Sequence, residues 1–125
     1  MTRVLVVDDD EAVREALTNV LLDQGFRVEV ARDGLEALAA LARPPLPDVI
    51  LLDGVMPVMD GLELRRLLLA DPGLAPVPVV FLSADGRLPR RAEELRAQVL
   101  SKPVMRDALL AALRQAAGPS RPQAP

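Results

Sequence analysis

A doubly wound three-layer α/β sandwich, with a five-stranded parallel sheet of order 2-1-3-4-5, is the fold predicted for this chain of 125 residues. Three observations predict it. Short, continuous apolar runs recur along the chain, as parallel strands covered on both faces require. Segments with apolar residues at helical spacing separate them, the alternation of a layered α/β domain with right-handed crossovers. Two of the runs, Val4-Leu5-Val6-Val7 and Val49-Ile50-Leu51-Leu52, end in aspartate, at Asp8 and Asp53.

The first run leads into Ala12, Val13, Ala16, Leu17, Val20 and Leu21, which form one apolar helical stripe. Asp10 caps that helix, Glu11 stands in its first turn, and Gly25 ends it. Phe26, Val28 and Val30 alternate with Arg27 and Glu29, the pattern of a half-exposed edge strand. Asp33 caps a short helix containing Leu35, Leu38 and Leu41, closed by Pro44, Pro45 and Pro47. Asp48 to Asp53 is the second buried strand, and Asp60 caps a helix carrying Leu62, Leu64, Leu67 and Leu68. Val77 to Leu82 is a third apolar strand, with Pro78 at its beginning, where a missing amide costs least. Pro89 suits the first turn of a weak, highly charged helix through Arg96. Val99-Leu100 is the shortest strand, and Ala108 to Ala116 is the last helix. From Gly118 the chain has nothing to bury, so residues 1–117 are expected to be the domain and 118–125 a disordered tail or the start of a linker.

Composition narrows the chemistry. With 50% apolar residues and a net charge of -3, the chain is expected to be one soluble domain with a substantial core. Phe26 and Phe81 are its only aromatics, so that core must be Leu, Val and Ala. The absence of cysteine excludes disulfides, thiolate catalysis and zinc-thiolate sites. The absence of histidine removes an imidazole base, a histidine metal ligand and any histidine phosphoacceptor. Mild acidity gives no attraction to nucleic acid. Neither a signal peptide nor a stretch long enough for a membrane span is present, which makes cytoplasm the expected compartment.

The strand order places the reversal of winding between strands 1 and 3, where ligands bind beyond the carboxyl ends. Those ends carry Asp8, Asp9 and Asp53. Carboxylates so placed repel, raising the pKa of at least one unless a cation joins them. A hard divalent ion such as Mg2+ suits oxygen-only ligands, and no cysteine or histidine competes for a softer metal. Lys102 is the one lysine among 15 basic residues and precedes Pro103 after the last strand. Its compact ammonium suits a phosphate site. Ser83 ends the fourth strand, so it shares the rim with Lys102. A carboxylate nucleophile, a divalent ion, a mobile cation and a hydroxyl together suit aspartyl phosphate chemistry. Lone serines, lysines and acidic caps are usually just solvated; their coincidence at one rim carries the inference.

The chain resembles the receiver domains of bacterial two-component response regulators over about residues 2 to 117. The matching pieces are Val-Leu-Val-Val-Asp8-Asp9-Asp10, Ala31-Arg-Asp-Gly-Leu-Glu-Ala-Leu38, Pro47-Asp-Val-Ile-Leu-Leu-Asp53-Gly-Val-Met-Pro57-Val-Met-Asp60-Gly61, Phe81-Leu-Ser83-Ala84 and Lys102-Pro103. The resemblance implies a flavodoxin-like sandwich with Asp53 as phosphoacceptor, charged by a histidine kinase or histidine phosphotransfer protein. It implies that Asp9 contacts Mg2+ (Mn2+ as a substitute) directly, that Asp8 acts largely through a water, and that Val55 lends its main-chain carbonyl. Ser83 takes the switch position, Lys102 that of the phosphoryl-binding lysine, and Lys102-Pro103 that of a cis peptide. A signalling switch rather than an enzyme follows, with an unidentified downstream protein and a weak or phosphorylation-dependent dimer, and without direct nucleic-acid or membrane contact.

The chain departs from the family pattern after Ser83. The segment to Lys102 is short, Leu95-Arg96-Ala97-Gln98 replaces the usual Gly-Ala pair, and positions usually aromatic are Val99 and Val104. Val99 has no ring to swing inward, so phosphorylation is expected to act instead by ordering or repositioning the charged segment 85–96. The alternative is an atypical receiver that works mainly as a protein-binding module with weak or no phosphorylation. A Mg2+-dependent phosphatase is disfavoured, because Val55 stands where its acid/base aspartate is needed.

Overall fold

A computed structural model describes residues 2–56, 59–84 and 93–117. Strands β1 (Arg3–Val7), β2 (Arg27–Ala31), β3 (Val49–Asp53), β4 (Val79–Ser83) and β5 (Gln98–Ser101) form one sheet of order β2-β1-β3-β4-β5. Every neighbouring pair is parallel, as the sequence predicts. Helices α1 (Glu11–Asp23), α2 (Gly34–Leu41), α3 (Gly61–Ala70) and α4 (Arg106–Ala117) cover its two faces.

Alternation along the strands feeds two separate cores. Leu5, Val7, Ile50, Leu52, Val79 and Phe81 pack with α2 and α3 through Ala37, Leu41, Leu64 and Leu68. Val4, Val6, Val49, Leu51, Val80 and Leu82 pack with α1 and α4 through Leu17, Leu21, Leu109 and Leu113. Because both faces are covered, β3 and β4 are buried at every residue.

The helix starts follow their caps. Asp10 accepts from the Ala12 and Val13 amides, Asp33 from Glu36 and Asp60 from Glu63. Gly25, with φ +88, takes the left-handed turn after α1.

Details differ from the sequence pattern. Leu35 and Leu67 are exposed, because the buried stripes of α2 and α3 run through Gly34, Ala37 and Leu41, and through Gly61, Leu64, Arg65 and Leu68. Ala12 and Ala16 are exposed beside the narrower stripe of Leu17 and Leu21. Val30 is 48% exposed on the edge strand, where no neighbouring strand shelters it. α4 begins two residues earlier than expected. A second cis proline peptide, Pro44-Pro45, accompanies that at Lys102-Pro103. Residues 89–92 of the weak helix expected from Pro89 through Arg96, and the tail from Gly118, lie outside the described residues.

Candidate functional site

Pairing continues one residue past the strand ends, which fixes the rim. The Asp8 amide donates to the Ala31 carbonyl (3.1 Å), Gly54 to Leu82 (3.1 Å) and Lys102 to Ser83 (2.9 Å). β1 therefore delivers Asp8, β3 delivers Asp53, and β4 with β5 brings the backbones of Ser83 and Lys102 together.

Asp8 is wholly buried and heavily bonded. Its Oδ1 accepts from the Asp10 amide (2.9 Å), and its carbonyl accepts from Arg14 Nη1 (2.7 Å). Its Oδ2 accepts from Lys102 Nζ at 3.2 Å. The same ammonium lies 3.4 Å from Asp53 Oδ1, which also accepts from the Val55 amide at 3.2 Å. Asp9 is exposed, yet carboxylate oxygens of Asp8, Asp9 and Asp53 all lie within 4.8 Å of one another.

The electrostatics follow from this crowding. Burial pushes the Asp53 carboxyl up to about 6, with the Asp8 charge and the Asp9 carboxyl adding to it. The Val55 amide and Lys102 pull the other way. Burial disfavours the charge on Lys102, but Asp53 and Asp8 outweigh it and hold its pKa above the ordinary value. The donor set fits a hard divalent cation: three convergent carboxylates, oxygen atoms only, and an excess of negative charge that one ammonium does not neutralise.

Of the other sequence candidates, Ser83 is buried at the end of β4, opposite Ser101 in register. Val55 is 68% exposed and touches the cluster through its amide. Val99 pairs with Phe81 in register and packs, half-buried, against the core on the α2/α3 face. The Lys102-Pro103 peptide is cis.

From the sequence, Gly61 allows close approach or a turn at the start of the third helix and Met59 is a packing residue; the burial of Arg65 was not legible beforehand. A Cβ on Gly61 would strike the Asp53 carbonyl oxygen, so α3 starts hard against the backbone of the acidic strand. Met59 packs against the core beside Gly34, its Sδ 2.8 Å from where a Gly34 Cβ would stand. Arg65 is buried in the core and bonded to main-chain carbonyls. The helical period does place Arg65 on the stripe of Gly61, Leu64 and Leu68, a signal obscured by its charge.

Sheet order, switch point and convergent carboxylates define an α/β domain with an acidic rim that one lysine contacts. The chain belongs to the response regulator receiver domain family, whose profile matches residues 4–114. Among curated relatives it is 42% identical over 115 residues to the response regulator MprA of Mycobacterium leprae (strain TN), covering 90% of this chain and 49% of that protein. It is 40% identical over 124 residues to response regulator MprA of Mycobacterium avium (strain 104), covering 97% and 53%. The chain thus spans about half the length of the curated relatives it matches. Among solved structures, the signal receiver domain of a signal transduction histidine kinase from Syntrophus aciditrophicus superimposes with a TM-score of 0.86 at 31% identity, covering 99% of this chain and 96% of that one. The Vibrio cholerae chemotaxis protein CheY4 gives 0.84 at 32% identity, covering 93% and 98%. Among the described residues, no helix is long and apolar enough to cross a membrane.

Proposed function

We propose that residues 1–117 are a phosphorylation-dependent switch of a two-component phosphorelay, with Asp53 as the phosphoacceptor. The observation that carries this reading is the meeting of Asp8, Asp9 and Asp53 with Lys102 at the switch point of the sheet. A carboxylate oxygen of Asp53 attacks the phosphorus of a phosphohistidine on a kinase or phosphotransfer protein. The P–N bond breaks, and its electron pair stays on the imidazole nitrogen, which takes up a proton. Asp8, Asp9, Asp53 and the Val55 carbonyl would hold Mg2+ or Mn2+, which supplies charge neutralisation at the phosphoryl oxygens. Lys102 exchanges its carboxylate partners for a phosphoryl oxygen, and the Ser83 hydroxyl donates to another. Water attack at phosphorus later releases phosphate and restores the Asp53 carboxylate.

The work of the domain is this switching, with catalysis confined to its own phosphorylation and dephosphorylation. Its setting is cytoplasmic, its output an unidentified protein partner, with a weak or phosphorylation-dependent dimer as one form of that output. The names of the relatives support the kinase partner: response regulators on one side, a receiver within a histidine kinase on the other. The test is intact-mass measurement after treatment with a small phosphoryl donor and Mg2+. One phosphoryl group, labile to alkali and hydroxylamine, is expected on the wild-type chain and none on Asp53→Ala; equal labelling of both refutes the assignment.

A further inference from the structure

Among the described residues, Arg65 is the one buried charged group that the phosphoryl chemistry above does not use. It is 3% exposed and lies on the buried face of α3. Desolvating a guanidinium is costly unless its donors are met. Main-chain oxygens meet them: Nε donates to Leu95 O (3.1 Å), Nη1 to Val77 O (3.1 Å) and Nη2 to Arg96 O (3.4 Å). Among the described residues no carboxylate forms an ion pair with it. Burial, with the Arg96 charge adding, pushes its pKa below the usual value, but an arginine keeps its proton throughout the physiological range.

The carbonyls it grips belong to the lead into β4 and to the turn just before β5. Arg96, in that turn, has φ 57, a left-handed conformation that side chains rarely adopt. Released from its partner, that peptide has reason to relax. β5 itself is weakly held. It is four residues long with no buried residue, and it sits at the sheet edge with β4 as its one neighbour. Yet Lys102 follows directly from it. At its other end α3 abuts the acidic strand, with the Gly61 amide donating to Gly54 O at 3.3 Å. One helix is thus fixed to the backbone beside Asp53 and, one turn on, to the start of the strand that places Lys102.

We propose that Arg65 is a positioning residue: by gripping the carbonyls of Val77, Leu95 and Arg96 it sets where β5 begins, and so the reach of Lys102 to the acidic rim. This rests on Asp53 as the phosphoacceptor. Misplacement by about 1 Å at a distance from the chemistry can slow a reaction by up to about a hundredfold.

Three variants of the whole chain separate this from a merely structural role. Arg65→Met removes every donor while keeping an apolar stem; Arg65→Lys keeps charge and stem but loses the planar fork. Leu68→Ala, on the same helix face, reports simple core destabilisation. Each is compared at a temperature where thermal melts show it fully folded. The readouts are backbone amide resonances of residues 98–102 without phosphoryl donor, and the rate of phosphorylation by phosphoramidate with Mg2+. Arg65→Met is expected to move those resonances and to slow phosphorylation about tenfold or more, and Arg65→Lys about threefold. Leu68→Ala should leave both at wild-type values. Unmoved 98–102 resonances in the Arg65 variants, or rate losses no larger than that of Leu68→Ala, overturn the proposal. Should Arg65→Met not fold, Arg65→Lys decides by the same criteria. Should the wild-type chain take no phosphoryl group, the phosphoacceptor reading fails instead, and the resonances alone decide the role of Arg65.

Discussion

The two halves of the rim are built differently. On the β1–β3 side the strands are buried throughout or nearly so, and Asp8, Asp10 and Asp53 each accept from the backbone amide two residues on. On the β5 side the strand has no buried residue, and its start depends on a side chain from a helix elsewhere in the sequence. The chemistry therefore stands on local, redundant contacts, and the placement of its mobile cation on a few long-range ones. Redundant contacts tolerate sequence change around them; sparse ones leave a segment free to move at low cost. The departures from the family pattern at Leu95, Val99 and Val104 fall on the sparse side.

The contrast is testable at its widest first. Leu52→Ala in β3 should cost about 2–5 kcal/mol in urea denaturation, as expected for a cavity in a closed core. Leu100→Ala in β5 should cost about 1 kcal/mol, because its side chain is only partly buried. Comparable losses would mean that β5 is anchored as firmly as β3.

Backbone closeness at the acidic strand comes next. Gly61→Ala should cost about 3 kcal/mol, since its Cβ meets the Asp53 carbonyl rather than a yielding side chain. Gly25→Ala, where nothing lies within 4 Å, should cost only the penalty of its positive φ, about 1 kcal/mol.

The repulsion within the rim has a pH signature. The folded-state pKa of Asp53 is raised from 3.8 to about 6, so the metal-free folded form binds this proton more tightly than the unfolded chain. Its contribution is then most favourable below about pH 4, declines as pH rises to about 6 and is constant above. Asp53→Asn should accordingly be more stable than wild type by on the order of 2 kcal/mol at pH 7.5 in EDTA, and equal to it near pH 4. Denaturation curves across that range, repeated with Mg2+, check both the sign and its relief by a cation.

The smallest effect separates neighbours in the acidic triplet. Asp10→Ala should lose a helix cap worth about 1 kcal/mol and keep its stabilisation by Mg2+. Asp9→Asn should lose little in EDTA and much of the gain from Mg2+ in a thermal melt. Equal behaviour of the two would erase the distinction between cap and ligand.

The sheet order was legible because β1, β3 and β4 are uninterrupted apolar runs, while the Arg27 and Glu29 alternation marks β2 as an edge. The helix starts were legible because Asp10, Asp33 and Asp60 are strong caps. The rim was legible because strand ends are fixed once the order is known. Arg65 was not, since in sequence a buried guanidinium looks like a solvated one until the carbonyls that accept from it are in view. Those carbonyls come from residues 12, 30 and 31 positions away, a distance over which periodicity carries no information. The exposure of Leu35 and Leu67 was missed for the converse reason: which arc of a helix faces the sheet depends on the docking angle as well as on the leucines.

The double contact of Lys102 with Asp8 and Asp53 has a thermodynamic consequence for the resting protein. The chain carries its own tethered counter-ion, and any free divalent ion must compete with it. A tethered group acts at an effective concentration of about millimolar or above, however dilute the protein. The affinity of this cluster for a divalent ion would therefore be a difference between two cations contending for the same oxygens. Lys102→Met should bind Mg2+ more tightly than wild type, which a Mg2+ titration of the two chains checks. Binding of a free ion would in this way be tuned by a side chain that directly follows β5, a strand with no buried residue, which would couple the strength of ion binding to the freedom of that strand.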